Sequence, residues 1–365
     1  QAGRILLWDL PETAPEPAAE EGSKEVSPPD FAPTREFQGH GNGITRIVPL
    51  EGGKRFASAS LDRTVRLWET EAAASGSSEM VLDGRTRESQ AKRIKAEERE
   101  AFLNAPGVSL EAVTACRVLE GHRDWVQALG ASGDGRRLIS GDDSCLTIVW
   151  DLASGQPVSR WEGYDRVWVT SAALAPGGER AFTGEYADSR SSFDRPAAQA
   201  RFWNAENGEL ELDLLKVWTP DVKDADRIDS YGYGQAWGKL IKRGLVCAAF
   251  SPSGELLAVG QGGETDKGQV HLVETASGKI LRTVSGHRYG ICDLAFSADG
   301  RYLLTTGRDT MVRITEVESG EEKGTLGKTR GGQFTDWLSA LTVSPDQQWV
   351  AAADIAGMLH VWKLG

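Results

Sequence analysis

Three Gly-His pairs, ending at His40, His122 and His287, lay a ruler along this chain. A hydroxyl residue stands 18 positions after each histidine (Ser58, Ser140, Thr305), and 28 positions after it an apolar run closes at Trp68, Trp150 or Thr315. An aspartate follows the three histidines by 22, 21 and 22 positions, at Asp62, Asp143 and Asp309. Spacing held in three separate stretches of 365 residues demands a repeated structural unit, because a single aperiodic core imposes no such ruler. The apolar run occurs seven times: Ile5-Leu6-Leu7-Trp8, Val65-Arg66-Leu67-Trp68, Thr147-Ile148-Val149-Trp150, Ala200-Arg201-Phe202-Trp203, Val270-His271-Leu272-Val273, Val312-Arg313-Ile314-Thr315 and Leu359-His360-Val361-Trp362. Short apolar runs bounded by Gly, Asp and Ser read as buried strands. Upstream of six of them lie two more strand-like runs joined by a turn, clearest at Ser251-Pro252-Ser253-Gly254, Ser297-Ala298-Asp299-Gly300 and Ser344-Pro345-Asp346-Gln347. Proline presets φ in such a turn and glycine supplies positive φ, which a tight reversal needs.

These residues resemble the WD-repeat (WD40) family. The resemblance covers nearly the whole chain, although Val273 and Thr315 stand where two units would carry tryptophan. It implies an all-β fold: a seven-bladed β-propeller of four-stranded antiparallel blades, with residues 1–365 as a single propeller. Within a blade it implies a hydrogen-bond chain of His, Ser or Thr, Asp and Trp. By position these chains are His40-Ser58-Asp62-Trp68, His122-Ser140-Asp143-Trp150, and His287-Thr305-Asp309 without its indole. The chemistry is sound apart from the family, since a buried carboxylate needs donors and imidazole and indole N–H groups are donors.

Ala2-Gly3-Arg4-Ile5-Leu6-Leu7-Trp8 aligns with Ala356-Gly357-Met358-Leu359-His360-Val361-Trp362, which places residue 1 in the turn before a third strand. The first blade is therefore expected to be incomplete, with its first two strands upstream or on another piece and an upstream strand closing the ring on the last blade. A six-bladed ring closed by residues 4–10 or 34–38 is the alternative. Any signal peptide would also lie upstream of residue 1, so the compartment stays open.

Successive Trp positions lie 42 to 82 residues apart, against about 43 for a plain repeat. The surplus falls into insertions at 11–33, 72–115, 186–199 and 216–244. The first is rich in proline and reads as an extended loop. The second carries helix formers over 89–103 and predicts one short inserted helix there. The last two should emerge on one face of the ring. They bring Phe193, Trp218, Tyr231, Tyr233 and Trp237 together with Arg195, Arg227, Lys242 and Arg243, the residue types that most often anchor interfaces.

Lys and Arg number 41 against 53 Asp and Glu, and the net charge of −12 disfavours nucleic acid and acidic membranes as partners. Only the basic cluster at 239–243 speaks for nucleic acid. No run of 18 apolar residues exists, so no membrane insertion by a helix is expected. Cys116, Cys145, Cys247 and Cys292 lack metal-ligand spacing and read as free thiols. His271 and His360, two positions before the run's end, read as surface residues like Arg66, Arg201 and Arg313. The acidic loop of Asp221, Asp224, Asp226 and Asp229 fails the calcium-loop pattern, with Ile228 where an oxygen ligand is required. A Ser-His-Asp set is available, but it recurs in several units and no G-x-S-x-G elbow accompanies it. No catalytic residue, cofactor or metal is assigned. The resemblance implies a non-enzymatic scaffold that holds a protein partner through one face, using the insertions of the fourth and fifth blades. The alternative is an enzyme or targeting subunit whose catalytic or metal-binding part lies upstream of residue 1 or in the central channel.

Overall fold

The computed structural model describes residues 3–9, 33–81, 84–92, 95–163, 167–186, 198–220, 244–262, 267–327, 337–355 and 357–364. Blade one opens with β1 (Ile5–Trp8) and β2 (Pro33–Phe37), paired antiparallel. Blade two follows as β3 (Ile44–Leu50), β4 (Arg55–Ser60) and β5 (Val65–Glu69). The chain then departs through β6 (Gly76–Met80), α1 (Gly84–Ala91), α2 (Ala96–Leu103) and β7 (Val108–Val113), and returns as β8 (Arg117–Leu119) against β5. Four meanders succeed it. They are β9 (Val126–Ala131) to β12 (Pro157–Glu162), β13 (Trp168–Leu174) to β16 (Leu210–Asp213), β17 (Leu245–Phe250) to β20 (Ile280–His287), and β21 (Ile291–Phe296) to β24 (Glu322–Gly327). A five-residue helix, α3 (Leu214–Trp218), follows β16. Blade seven consists of β25 (Leu338–Val343), β26 (Trp349–Asp354) and β27 (Leu359–Lys363).

Seven sheets stand around one axis, and this sets aside the six-bladed alternative. Each second strand is apolar on both sides because it lies between two neighbours. Leu138 of β10 (Arg137–Asp142) enters the core shared with blade two, and the next residue, Ile139, enters the core shared with blade four. Leu303 and Leu304 of β22 (Tyr302–Gly307) divide in the same way between blades five and seven. Strand alternation alone sorts them. Each such side chain contributes about 1.5–3 kcal/mol by burial.

Two expectations need correction. Blade one is not an antiparallel meander: its order is β1-β2-β7-β6, and β7 runs parallel to β2. The hairpin comes from the second insertion and covers an edge that blade one would otherwise expose. Val108-Ser109-Leu110-Glu111-Ala112-Val113 alternates enough to be read as a strand, whereas Gly76-Ser77-Ser78-Glu79-Met80 is polar and gives no such signal. The single helix at 89–103 is instead two helices, α1 and α2, with Arg87 Nη1 of α1 donating to Leu103 O at 2.9 Å and Ala105 O at 2.7 Å. Blade seven has three strands among the described residues, in agreement with the expectation that a further strand completes it. The hairpin is held by Glu36, which pairs with Arg4 and accepts from Ser78 Oγ at 2.5 Å. Burial alone would raise the Glu36 carboxyl, but these bonds pull it down to about 2.

Candidate interaction face

The polar chains lie inside the blades. In blade two, Trp68 Nε1 donates to Ser58 Oγ at 2.8 Å, Ser58 Oγ lies 2.7 Å from His40 Nε2, and His40 Nδ1 lies 2.8 Å from Asp62 Oδ2. Asp62 accepts only, so Nδ1 carries the proton and the Ser58 hydroxyl donates to Nε2. Burial alone would raise the Asp62 carboxyl, but bonds from Thr64, His40 and the Gly41 amide draw it to about 2. Burial depresses His40 against the pull of Asp62. Blade six repeats the arrangement with Thr305 at 2.9 Å and Asp309 at 2.8 Å from His287.

Blade three corrects one assignment. The carboxylate under His122 is Asp142, 3.0 Å from Nδ1, and not Asp143. Ser140 and the Trp150 indole keep their expected places at 2.6 and 2.8 Å. Asp142 ends β10 directly, and its other oxygen takes the Ser144 hydroxyl and the Ser144 and Leu146 amides of a longer turn. Asp143 turns away toward the axis, where Gln127 Nε2 donates to its Oδ2 at 3.2 Å and its buried Oδ1 has no partner among the described residues. Ser, His and Asp thus stand in the order of a hydrolase triad. Ser58 and Ser140 are nevertheless fully buried with an indole donating to each oxygen, so no carbonyl can reach them.

Blades four and five use other groups. Trp203 Nε1 donates to Thr183 Oγ1 at 2.8 Å, beside the buried pair of Arg201 and Glu185 at 3.2 Å. Burial pushes the Glu185 carboxyl up and Arg201 works against it. His271, His360 and Arg201 are buried, contrary to their surface reading. His271 lies 2.9 Å from Gln261 Nε2 and 2.8 Å from Thr283 Oγ1, and His360 lies 3.2 Å from Asp354. The four cysteines are free thiols, and burial pushes Cys292 up to about 11.

Of the candidate contact residues, only Trp218 falls in the described structure. It is half-buried at the end of α3, donates to Gly278 O at 2.8 Å, and its ring centre lies 6.0 Å from that of His271. Phe193, Arg195, Arg227, Tyr231, Tyr233, Trp237, Lys242 and Arg243 lie outside the described residues.

Sequence reasoning missed a set of exposed apolar residues, two tryptophans and an isoleucine, at the ring face where those insertions leave and re-enter. Trp125, just before β9, is 49% exposed; Trp168, at the start of β13, is 37% exposed; Ile355, after β26, is 51% exposed. The Trp168 ring centre lies 6.5 Å from that of Tyr186, at the foot of the blade-four insertion. Arg308 covers the Trp337 ring at 4.2 Å on the same face. Their signal was present, since each falls outside the Trp position of its unit, where the intrablade chain cannot use it.

Below this face a cavity of about 1000 Å³ runs along the axis and outward between blades two and seven. Arg46 of β3 reaches across it, donating to Val246 O of blade five at 2.8 Å and pairing with Asp293 of blade six at 3.4 Å. Asp293 in turn accepts the Leu341 amide of blade seven at 2.9 Å. Among the described residues, no group of three or more His, Cys, Asp and Glu is placed to hold a metal ion, and no helix is long and apolar enough to cross a membrane.

A family model for the WD domain, G-beta repeat, matches residues 31–69, 114–151 and 278–315. These are the three stretches that carry the His-Asp pairs of blades two, three and six. Autophagy-related protein 16 of Arabidopsis thaliana is 33% identical over 97 residues, 27% of this chain and 19% of that protein. WD repeat-containing protein 55 homolog of Drosophila persimilis is 36% identical over 121 residues, 33% of this chain and 22% of that protein. Autophagy-related protein 18 of Meyerozyma guilliermondii is 28% identical over 99 residues, 27% and 17% of the two chains. The matches therefore span about a fifth of the length of these relatives.

Proposed function

We propose that this chain, a WD-repeat β-propeller by its three matched repeats and seven sheets, is a non-enzymatic protein-interaction scaffold. Its partner is a protein, held on the face from which the blade-four and blade-five insertions emerge. The observation that carries this reading is the exposure of Trp125, Trp168 and Ile355 together on that face. Large apolar groups left in water, in a ring whose blades enclose Trp68, Trp150 and Trp203, mark an interface. Arg195, Arg227, Lys242 and Arg243, with Phe193, Tyr231, Tyr233 and Trp237, belong to the same proposal as the insertions' own contacts. Trp218 stays a candidate of this proposal, although its bond to Gly278 ties it to the turn before β20, at the end of blade five away from this face.

Trp125→Ala and Trp168→Ala, separately and together, test it. Each is expected to weaken capture of the partner from native extract by about tenfold or more, with the melting temperature unchanged because the side chains are exposed. Undiminished capture by the double variant removes the face from consideration.

A further inference from the structure

Blades two to seven place equivalent residues around the interaction face. In five of them the residue after the second strand donates its amide to the carbonyl of the residue before the first strand. Leu61, Asp143, Gly262, Arg308 and Ile355 donate in this way to Gly43, Trp125, Gly244, Gly290 and Trp337, at 2.9 to 3.1 Å. In blade four Tyr186 and Trp168 face each other at the same places. At the boundary of blades six and seven the chain supplies a cation for the tryptophan, because Arg308 of blade six covers the Trp337 ring of blade seven at 4.2 Å. At the boundary of blades three and four Trp168 holds the place of Trp337, and Asp143 holds that of Arg308. The two lie close together: Gly141 packs directly on Val169, and Asp143 and Trp168 line the same cavity. Trp168 is 37% exposed, and Asp143 accepts one hydrogen bond, from Gln127, and pairs with no cation among the described residues. Asp124 adds a second carboxylate nearby, while Arg123 is engaged by Glu162 at 2.8 Å.

Resting on the reading of this face as the interface, we propose that the boundary of blades three and four takes one arginine side chain of the partner protein. Its guanidinium lies on the Trp168 ring, as Arg308 lies on Trp337, and pairs with the Asp143 carboxylate. A guanidinium meets both demands at once, since its flat face stacks on an indole while its N–H edge reaches a carboxylate. An ammonium is a compact, strongly hydrated point charge and meets them less well. A half-buried carboxylate without a cation is a cost to the free chain, and the partner's charge removes it. The net charge of −12 favours approach of a basic segment over the whole surface, and Trp168 with Asp143 fixes where its arginine lodges.

The probe is an acetylated and amidated Gly-Gly-Arg-Gly-Gly peptide, and its control carries citrulline, which has the same shape without the charge. Titrated into the whole chain and followed by saturation-transfer NMR, the arginine peptide is expected to bind with a Kd on the order of 1 mM. The citrulline peptide should bind about fivefold more weakly or less well still. Asp143→Asn and Trp168→Leu should each lower affinity for the arginine peptide by about fivefold. Neither change should lower the melting temperature, because Trp168 is exposed and Asp143 has no cation to lose. Glu71→Gln removes an exposed acid at the far end of blade two and should leave the affinity unchanged, which sets pairing at Asp143 apart from attraction to the net charge. No binding of the arginine peptide, equal binding of the two peptides, undiminished binding in both variants, or an equal loss with Glu71→Gln overturns the proposal. Partner capture reads the face and the difference between arginine and citrulline reads this site, so either can fail alone.

Discussion

Blades three and five bury the same strand with different chemistry. In blade three an indole, a serine, an imidazole and a carboxylate stand in line from Trp150 to Asp142. In blade five Val273 takes the tryptophan's place, and His271 bridges Gln261 and Thr283 while Trp218 packs on it from α3. Blade four lies between these cases, keeping the indole-to-threonine bond and adding a buried arginine–glutamate pair. What the blades share is that the hydroxyl, imidazole and carboxylate groups beside the third strand each find a partner. The partners are interchangeable, so a unit without the His-Asp spacing is still a blade.

The largest effect expected from breaking this comparison is in blade four. Arg201→Met leaves Glu185 buried without its charge partner and should destabilise by about 4 kcal/mol. Adding Glu185→Leu should restore most of that loss in urea denaturation. If the double variant remains as unstable as the single one, the pair is more than a mutually satisfied couple. Next comes Asp142→Ala, which strips a carboxylate from His122, the Arg123 amide and the Ser144–Leu146 turn and should cost about 3 kcal/mol. The neighbouring change at Asp143 should not. Equal losses at the two positions would return Asp143 to the intrablade chain.

That pair of adjacent aspartates shows where reading from residues stopped. Seven strand runs, their turns and the serine and histidine positions were legible because period and spacing report burial directly. Asp142 was not, because blade three reaches its aspartate two residues after Ser140, whereas blades two and six take four, from Ser58 to Asp62 and from Thr305 to Asp309. The turn that follows is longer by the same amount, so the overall spacing of 28 hides the difference. His271 and His360 were misread for a related reason: their sequence position is shared with Arg66 and Arg313, and only the neighbouring Gln261, Thr283 and Asp354 make burial tolerable. The β6–β7 hairpin depends on the open edge of β2, where Arg35 faces Glu111 from 76 positions away, which no local pattern encodes.

A third, smaller change probes blade five from outside. Trp218→Ala removes a half-buried indole and its bond to Gly278 and should cost about 2 kcal/mol. A melting curve that does not move would show that α3 leaves His271 to Gln261 and Thr283 alone, and would free Trp218 for contact with a partner.

The smallest effect is a matter of pH, and its sign separates the two aspartate environments. Asp62 is held near 2 in the folded chain, below its ordinary 3.8, so its contribution is present above about pH 4 and is lost as pH falls toward 2. His40 is depressed below 6.5, so its neutral form stabilises the fold above that pH and protonation erodes it below. Asp143 behaves oppositely. Burial, with Asp124 and Asp142 nearby, raises it to about 6, so the folded chain holds a proton between pH 4 and 6 that the unfolded chain releases. Stability therefore drops as Asp143 ionises on going from pH 4 to 7. Asp143→Asn, which keeps an acceptor for Gln127 and cannot ionise, should be more stable than the native chain at pH 7 by about 0.5–1 kcal/mol, allowing for solvent screening of a partly exposed group. Below pH 4 the two curves should coincide. An advantage that persists unchanged at pH 4 would mean that packing, and not the charge beside Gln127, distinguishes Asp143 from its neighbour.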